Sequence, residues 1–294
     1  MKKKSSLKHT GAFWAFCAPC CILFGVFFLV PLVLSIAFSF TNYDGWKTID
    51  FVGLTNYITL FKDSKFYLSL GRTLLYTVCT LPFRVIIPLL VAVLLCSKRV
   101  AGKSLTRTMV YIPVLMSALV VGITINWMFS QEYGLVNFII RSLGGTALEW
   151  SLNPRLATFV IAFASVWASI GFNMILYIGG INSISNDLYE AATIDGASGV
   201  QAFFRITVPM LAPTTFMVVL LSTVNLLKEY ALVQGITQGG PGLSTTFIIQ
   251  YIFDKGFNQM QYGYASAIST VVMIIFALIA FAQFKVNNLS LIHI

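Results

Sequence analysis

The sequence is poor in charge. Of its 294 residues only 10% are charged, against 57% hydrophobic and 14% aromatic, whereas an ordinary soluble domain carries roughly 25% charged residues. At ~150 residues per domain the length would suggest two soluble domains, but so few ionisable side chains cannot cover their surfaces. The solvent is therefore lipid. Histidine is nearly absent, and His9 and His293 stand close to the termini, which leaves no credible imidazole base. There is no HExxH, no GxSxG elbow and no pair of membrane carboxylates suited to acid–base work. The nearest approach to a phosphate loop, residues 97–104, ends in Gly102-Lys103-Ser104 but lacks the first glycine and follows an apolar helix instead of a strand, so it reads as a basic turn. Cys17, Cys20, Cys21, Cys79 and Cys96 all fall in apolar stretches. Cys17 and Cys20 have CxxC spacing but no neighbouring histidine, so they are expected to be packing residues and no metal or catalytic site is expected.

The few charges mark boundaries. A membrane span needs ~20 predominantly apolar residues, and a charge at the bilayer centre costs at least ~2.5 kcal/mol. No charge falls between Lys8 and Asp44, Arg107 and Glu132, Arg155 and Asp187, Arg205 and Lys228, or Lys255 and Lys285, and only Arg84 interrupts the stretch from Arg72 to Lys98. Six helical spans are expected, at about 12–40, 73–97, 108–130, 156–181, 210–233 and 263–284. The fold class is then an all-α integral membrane bundle, with Pro31, Pro82, Pro88 and Pro113 as kinks packed against neighbouring helices. The first stretch is about twice the 7–15 residues of a secretory core and contains Pro31, so it reads as an uncleaved helix.

Lysine and arginine near the span ends orient the bundle. Lys2, Lys3, Lys4 and Lys8 share a side with Lys98, Arg99, Lys103 and Arg107 if six helices alternate. The positive-inside rule makes that side the cytoplasm. Residues 1–11 and 285–294 become cytoplasmic tails, and the loops near 41–70, 130–155 and 234–262 are external. The bias is modest, since Lys47, Lys62, Lys65, Arg141, Arg155 and Lys255 fall outside. The net charge of +9 is spread over loop ends, which argues against nucleic acid as a partner.

One cytoplasmic segment, residues 182–209, departs from the apolar pattern. Asn186 or Asp187 can cap a short helix with Glu190 in its first turn, Gly196 can end it, and Ser198 can start a second helix that stops at Pro209. Such an elbow is either a plain interhelical loop or a lever whose small alanines permit close approach while Glu190 and Asp195 meet basic groups on another surface.

The segment closely resembles the EAA motif of permease subunits of binding-protein-dependent ABC importers, through Glu190, Ala191, Ala192, Asp195, Gly196, Ala197, Phe203, Ile206 and Pro209 at the family spacing. Thr237-Gln238-Gly239-Gly240-Pro241, followed by Ser244-Thr245, resembles the external TxGGP signature of the carbohydrate type, similar to maltose and glycerol-3-phosphate permeases. Residues 52–57, 133–137 and 262–267 match as well, so the likeness spans nearly the whole chain, in a six-helix form without the extra helices and large insertion of the maltose protein.

The resemblance implies a bacterial cytoplasmic-membrane permease domain over residues 12–284, paired with a second homologous permease as a heterodimer. Two separate ATP-binding subunits would seat the 182–209 elbow, with Glu190 near a basic ATPase residue, Gly196 as the bend, and rigid-body rocking of the two permeases giving alternating access. ATP and Mg would be used by those subunits, with no cofactor on this chain. An extracytoplasmic binding protein would deliver a carbohydrate.

A solute path is sketched from polar residues at helical spacing. Ser222, Asn225 and Glu229 stand at i, i+3 and i+7, with Lys228 and Tyr230 beside them, and could offer sugar hydroxyls donors, acceptors and a ring face. Packing between helices is the competing reading. Asn173 with Tyr177, and Asn126 beside Trp127, are further candidates. Arg84 is costly unless it faces a cavity or an acidic partner. A sugar phosphate or acidic saccharide met by Arg84 and Lys228 is the alternative cargo, and a self-sufficient channel or secondary transporter is disfavoured by the scarcity of buried carboxylates.

Overall fold

The computed structural model describes residues 6–46, 49–97 and 102–291. Lys2, Lys3, Lys4, Lys47, Lys98, Arg99 and His293 lie outside the described residues, as do residues 98–101 of the basic turn. Among the described residues the only β-structure is an isolated antiparallel bridge between Thr41 and Phe51.

The chain divides into two compact units. The first takes Met1–Ser64 and Ile252–Ile275, the second Lys65–Tyr251 and Phe276–Ile294. The helices α1 (Ser6–Phe24) and α2 (Val30–Phe38) are joined by a π turn at Gly25–Leu29 and followed by α3 (Thr55–Lys62). Then come α4 (Ser64–Cys96), α5 (Lys103–Leu115), α6 (Ala118–Met128), α7 (Leu135–Ser142) and α8 (Pro154–Asn182). The elbow segment that follows α8 holds α9 (Asn186–Ile194), α10 (Gly199–Ala202) and α11 (Val208–Met210), the last two separated by a π turn at Phe203–Thr207. The remainder is α12 (Ala212–Leu227), α13 (Ala231–Ile236), α14 (Ile248–Phe253), a π turn at Asp254–Asn258 and α15 (Tyr262–Leu291).

Four helices among the described residues are long and apolar enough to cross a membrane: Phe13–Phe38, Ser64–Cys96, Pro154–Asn182 and Tyr262–Asn287. Two bent pairs raise the number to six if each is one span. These are α5 with α6, bent by 101°, and Gly199–Met210 with α12, bent by 67°. The third apolar segment thus turns far more sharply than a kink at Pro113, while the bend at Leu211 falls at the expected boundary between the elbow and the fifth span. At the first break Pro113 removes an N–H and Met116 turns extended (φ −84°, ψ 145°). At the second, Leu211 leaves the helical region (φ −85°, ψ 2°) ahead of Pro213. Both π turns followed by a proline two residues on, at Pro31 and Pro209, fit the same cause, because proline cannot donate to the carbonyl four residues back and the ladder widens. Through Pro82 and Pro88, by contrast, α4 runs unbroken.

In the first unit, α3 is tied to the end of α2. Asn56 Nδ2 donates to the carbonyls of Ser39 (2.9 Å) and Thr41 (2.8 Å), Ser39 Oγ shares a hydrogen bond with Tyr57 Oη (2.7 Å), and Leu60 is fully buried. The amide of Gly263 donates to the Tyr43 carbonyl (2.9 Å) and Tyr264 Oη to Asp63 Oδ2 (2.7 Å).

The second unit has two apolar cores. One gathers Tyr76, Ile125, Phe129, Trp150, Ile161, Leu226, Val233 and Phe247; the other gathers Leu95, Met174, Tyr177, Ile178, Leu211 and Val218. Within the first core α6 and α13 meet through glycines. A Cβ on Gly235 would lie 2.7 Å from the Leu119 carbonyl oxygen and 2.9 Å from Gly122 Cα. In lipid, helix association relies on such close backbone approach, since burial of apolar surface gives little drive there. Because the obstructing atoms are backbone, Gly235→Ala is expected to cost about 2 kcal/mol. A lowered Tm of the purified protein checks this, and an unchanged Tm contradicts the contact.

Candidate functional site

The elbow starts three residues after α8. Ser185 is extended (φ −61°, ψ 135°) and its Oγ accepts the Asp187 amide at 3.3 Å, so Ser185 caps α9 in place of the expected Asn186 or Asp187. Asp187 occupies the first turn, where a carboxylate meets the positive end of the helix dipole. Glu190 consequently lies in the second turn, not the first, and is exposed.

Gly196 ends α9 in the left-handed region (φ +75°). Its amide donates to the Thr193 carbonyl (3.1 Å) and the Ala197 amide to the Ala192 carbonyl (2.9 Å), the paired bonds of a Schellman cap. Ser198 opens the next helix with a capping box: Gln201 N donates to Ser198 Oγ (3.3 Å) and Ser198 N to Gln201 Oε1 (2.7 Å). That helix, with its π turn, ends at Met210, one residue beyond the expected stop at Pro209.

The elbow is pinned from inside. Tyr189 Oη and Thr207 Oγ1 share a hydrogen bond at 2.9 Å, and Tyr189 and Ile206 pack against the Met174–Tyr177–Leu211 core. Ile206 is therefore a support of the elbow and not part of its outer surface. Glu190, Ala191, Asp195, Gly196 and Pro209 are exposed, Ala192, Ala197 and Phe203 half-buried. Ile194 at 87% exposure and Phe204 at 64% add apolar area to that surface.

The polar residues of the fifth apolar segment do not share one helix face. α12 ends at Leu227, Lys228 is its cap, and Glu229 stands in the break before α13. Glu229 is buried and its Oε1 accepts the Leu232 amide at 3.3 Å, serving one of the unpaired N–H groups at the start of α13. Ser222 is buried too, and accepts from Asn173 Nδ2 at 3.2 Å. Asn173 Nδ2 also donates to the Arg84 carbonyl (2.9 Å), so it ties α4, α8 and α12 together; Tyr177, one turn on, is fully buried in the core. Asn225 and Lys228 instead are exposed, three residues apart on one side of α12, and Tyr230 is half-buried. Asn126 is half-buried and borders a small crevice with Trp150 and Thr237.

Arg84 faces neither a cavity nor solvent. It is 6% exposed, and its Nε and Nη2 both donate to the Ser165 carbonyl (3.2 and 3.0 Å). Its compensation is thus supplied by its own chain. Ser165, distant in sequence, carries no signal that would have identified it.

The segment Thr237, Gly239, Gly240 and Pro241 folds on itself. Thr237 Oγ1 and Thr245 Oγ1 share a hydrogen bond (2.7 Å), Thr245 Oγ1 donates to the Gly240 carbonyl (2.6 Å), and its amide to the Gly239 carbonyl (3.2 Å). Gly239 has φ +92° and a Cβ there would lie 2.8 Å from Thr246 Oγ1, so glycine is required. Gly240–Pro241 is cis. Tyr189, Thr207 and the Gly122–Gly235 contact were not singled out in the sequence reading; glycines within apolar helices are the signal for the last.

The family model for the binding-protein-dependent transport system inner membrane component matches residues 51–288. The arabinooligosaccharides transport system permease protein AraP of Bacillus subtilis (strain 168) is 32% identical over 280 residues, covering 94% of this chain and 88% of AraP. The lactose transport system permease protein LacF of Rhizobium radiobacter is 32% identical over 276 residues, covering 92% of each. Among solved structures, a chain of a bacterial ABC transporter involved in the import of the acidic polysaccharide alginate superposes with a TM-score of 0.83 at 24% identity, over 96% of this chain and 97% of that one. The protein belongs to the family of binding-protein-dependent transport system inner membrane components, the permeases of ABC transporters.

Proposed function

We infer that this chain is one permease of an ATP-driven importer that moves a sugar or oligosaccharide delivered by an external binding protein. It pairs with a second homologous permease and with two ATP-binding subunits that carry out the hydrolysis, so the chain itself is non-catalytic and binds no cofactor. Both termini and the elbow face the cytoplasm. The observation that carries this reading is the elbow: a doubly capped helix pair, pinned to the core by Tyr189 and Thr207, presents Glu190, Ala191 and Asp195 outward as one rigid element. A rigid element packed against the core can pass a push to it. AraP and LacF, named for arabinooligosaccharides and lactose, support a saccharide cargo.

Asn225 and Lys228 support a path on the exposed side of α12. A lysine facing hydrocarbon costs about 2.5–3.5 kcal/mol, which a water-filled passage between two permeases relieves. The burial of Arg84 against Ser165 supports a neutral cargo over an acidic one, because the guanidinium is already engaged. Uptake by the reconstituted importer of a panel of neutral di- and trisaccharides and their uronic-acid counterparts tests the cargo. Neutral saccharides are expected to be taken up; uptake of the acidic set alone contradicts the reading.

A further inference from the structure

The first unit holds a cup of about 850 Å³ that the coupling and path residues do not use. Its volume falls in the range of roughly 300–1,000 Å³ typical of small-molecule sites. α3, the stretch after α2 and the segment before α15 form its walls.

Three aromatic rings border it: Tyr43, Trp46 and Tyr264. Trp46 is 86% exposed, so its indole face is uncovered. The π face of an aromatic ring carries partial negative charge and attracts the C–H face of a sugar ring. Between the rings stand hydrogen-bonding groups of every kind a hydroxyl can use. Asn56 spends both N–H bonds on Ser39 and Thr41, which fixes its amide and leaves the side-chain oxygen to accept. Lys62 and Gln261 are exposed donors, and Asp63 is held in place by Tyr264 Oη.

The cup is built before any ligand arrives. Gly263 bonds to the Tyr43 carbonyl, the Tyr43 and Tyr262 rings meet at 5.7 Å, and Gly45 takes φ +89° against Tyr262, where a Cβ would lie 2.9 Å from the ring. Prior ordering removes entropy that binding would otherwise cost.

We propose that this cup is a saccharide-binding subsite of the permease itself, separate from the residues of α12 and from the elbow. It rests on the carbohydrate reading above and on the external side that the charge pattern predicts for residues 41–70 and 234–262. It holds one end of an oligosaccharide by stacking on Trp46, by hydrogen bonds from Lys62 and Gln261, and by a hydroxyl donating to the Asn56 side-chain oxygen.

The test uses the assembled importer in nanodiscs without its binding protein, and radiolabelled maltotriose and arabinotriose in equilibrium dialysis. The wild type retains at least one of the two saturably at millimolar concentration. Trp46→Ala and Lys62→Ala, both at exposed positions, each lower that retention at least fivefold while the Tm of the complex stays the same. Equal retention by wild type and Trp46→Ala, or none by the wild type, overturns the proposal. So does unchanged saccharide retention in Trp46→Ala with weakened capture of the binding protein, which makes the cup a docking patch. If the complete system with its binding protein takes up no saccharide at all, the carbohydrate reading fails instead.

Discussion

Replacing Glu190 by alanine is expected to lower ATP-dependent uptake at least tenfold while leaving the Tm of the permease unchanged. Glu190 is exposed in the second turn of α9. Its loss removes no intramolecular burial, and surface substitutions of that sort stay within about 0.5 kcal/mol of wild-type stability. A hydrogen bond to a charged partner on the ATPase is worth about 1.5–3 kcal/mol, and 1.4 kcal/mol is a factor of ten. Glu190→Gln keeps the acceptor oxygen and is expected to retain more uptake than Glu190→Ala. Parallel measurement of uptake and ATP hydrolysis in vesicles decides the matter: hydrolysis that continues without uptake is the uncoupling expected of a lever. Wild-type uptake by Glu190→Ala would show that the residue is not a contact.

Arg84→Met is expected to destabilise the protein by about 2 kcal/mol, the order of the penalty for stripping a buried acceptor of charged donors. Arg84 and Glu229 are both buried and carry opposite charges, so removal of either leaves the other with less compensation. Methionine removes that compensation and also the two donors to the Ser165 carbonyl. Glu229 then stays buried beside the break that separates α12 from α13, where its Oε1 accepts the Leu232 amide. The double variant Arg84→Met, Glu229→Gln is expected to recover part of the loss, because no buried charge is left over. Thermal unfolding of both variants in detergent checks the pair. A double variant no more stable than Arg84→Met contradicts the coupling of the two charges.

Much of this architecture was legible because lipid punishes charge. The gaps between Lys8, Asp44, Arg107, Glu132 and the other boundary charges located six apolar segments without any knowledge of packing. The elbow was legible for a different reason: Gly196 and Ser198 are residues with a local backbone role, and the structure uses them as a left-handed helix stop and a cap. What failed depended on contacts distant in sequence or on the path of the backbone. A charge gap reports that a segment is apolar, not that α5 and α6 turn by 101° within it. The helical face drawn through Ser222, Asn225 and Glu229 assumed that the helix continues, and it ends at Leu227. Arg84 announced itself as costly, but Ser165, whose carbonyl accepts from it, lies 81 residues away. The proposed solute path is the least legible element, since it runs along an exposed side of α12 and not through a packed core.

The most direct test of the account is uptake into sealed vesicles carrying this chain, its partner permease and the ATP-binding subunits, with ATP inside and saccharide-loaded binding protein outside. The account predicts saccharide accumulation that requires both ATP and the binding protein. Saccharide flux that persists without either of them, driven by an ion gradient through this chain alone, would contradict it.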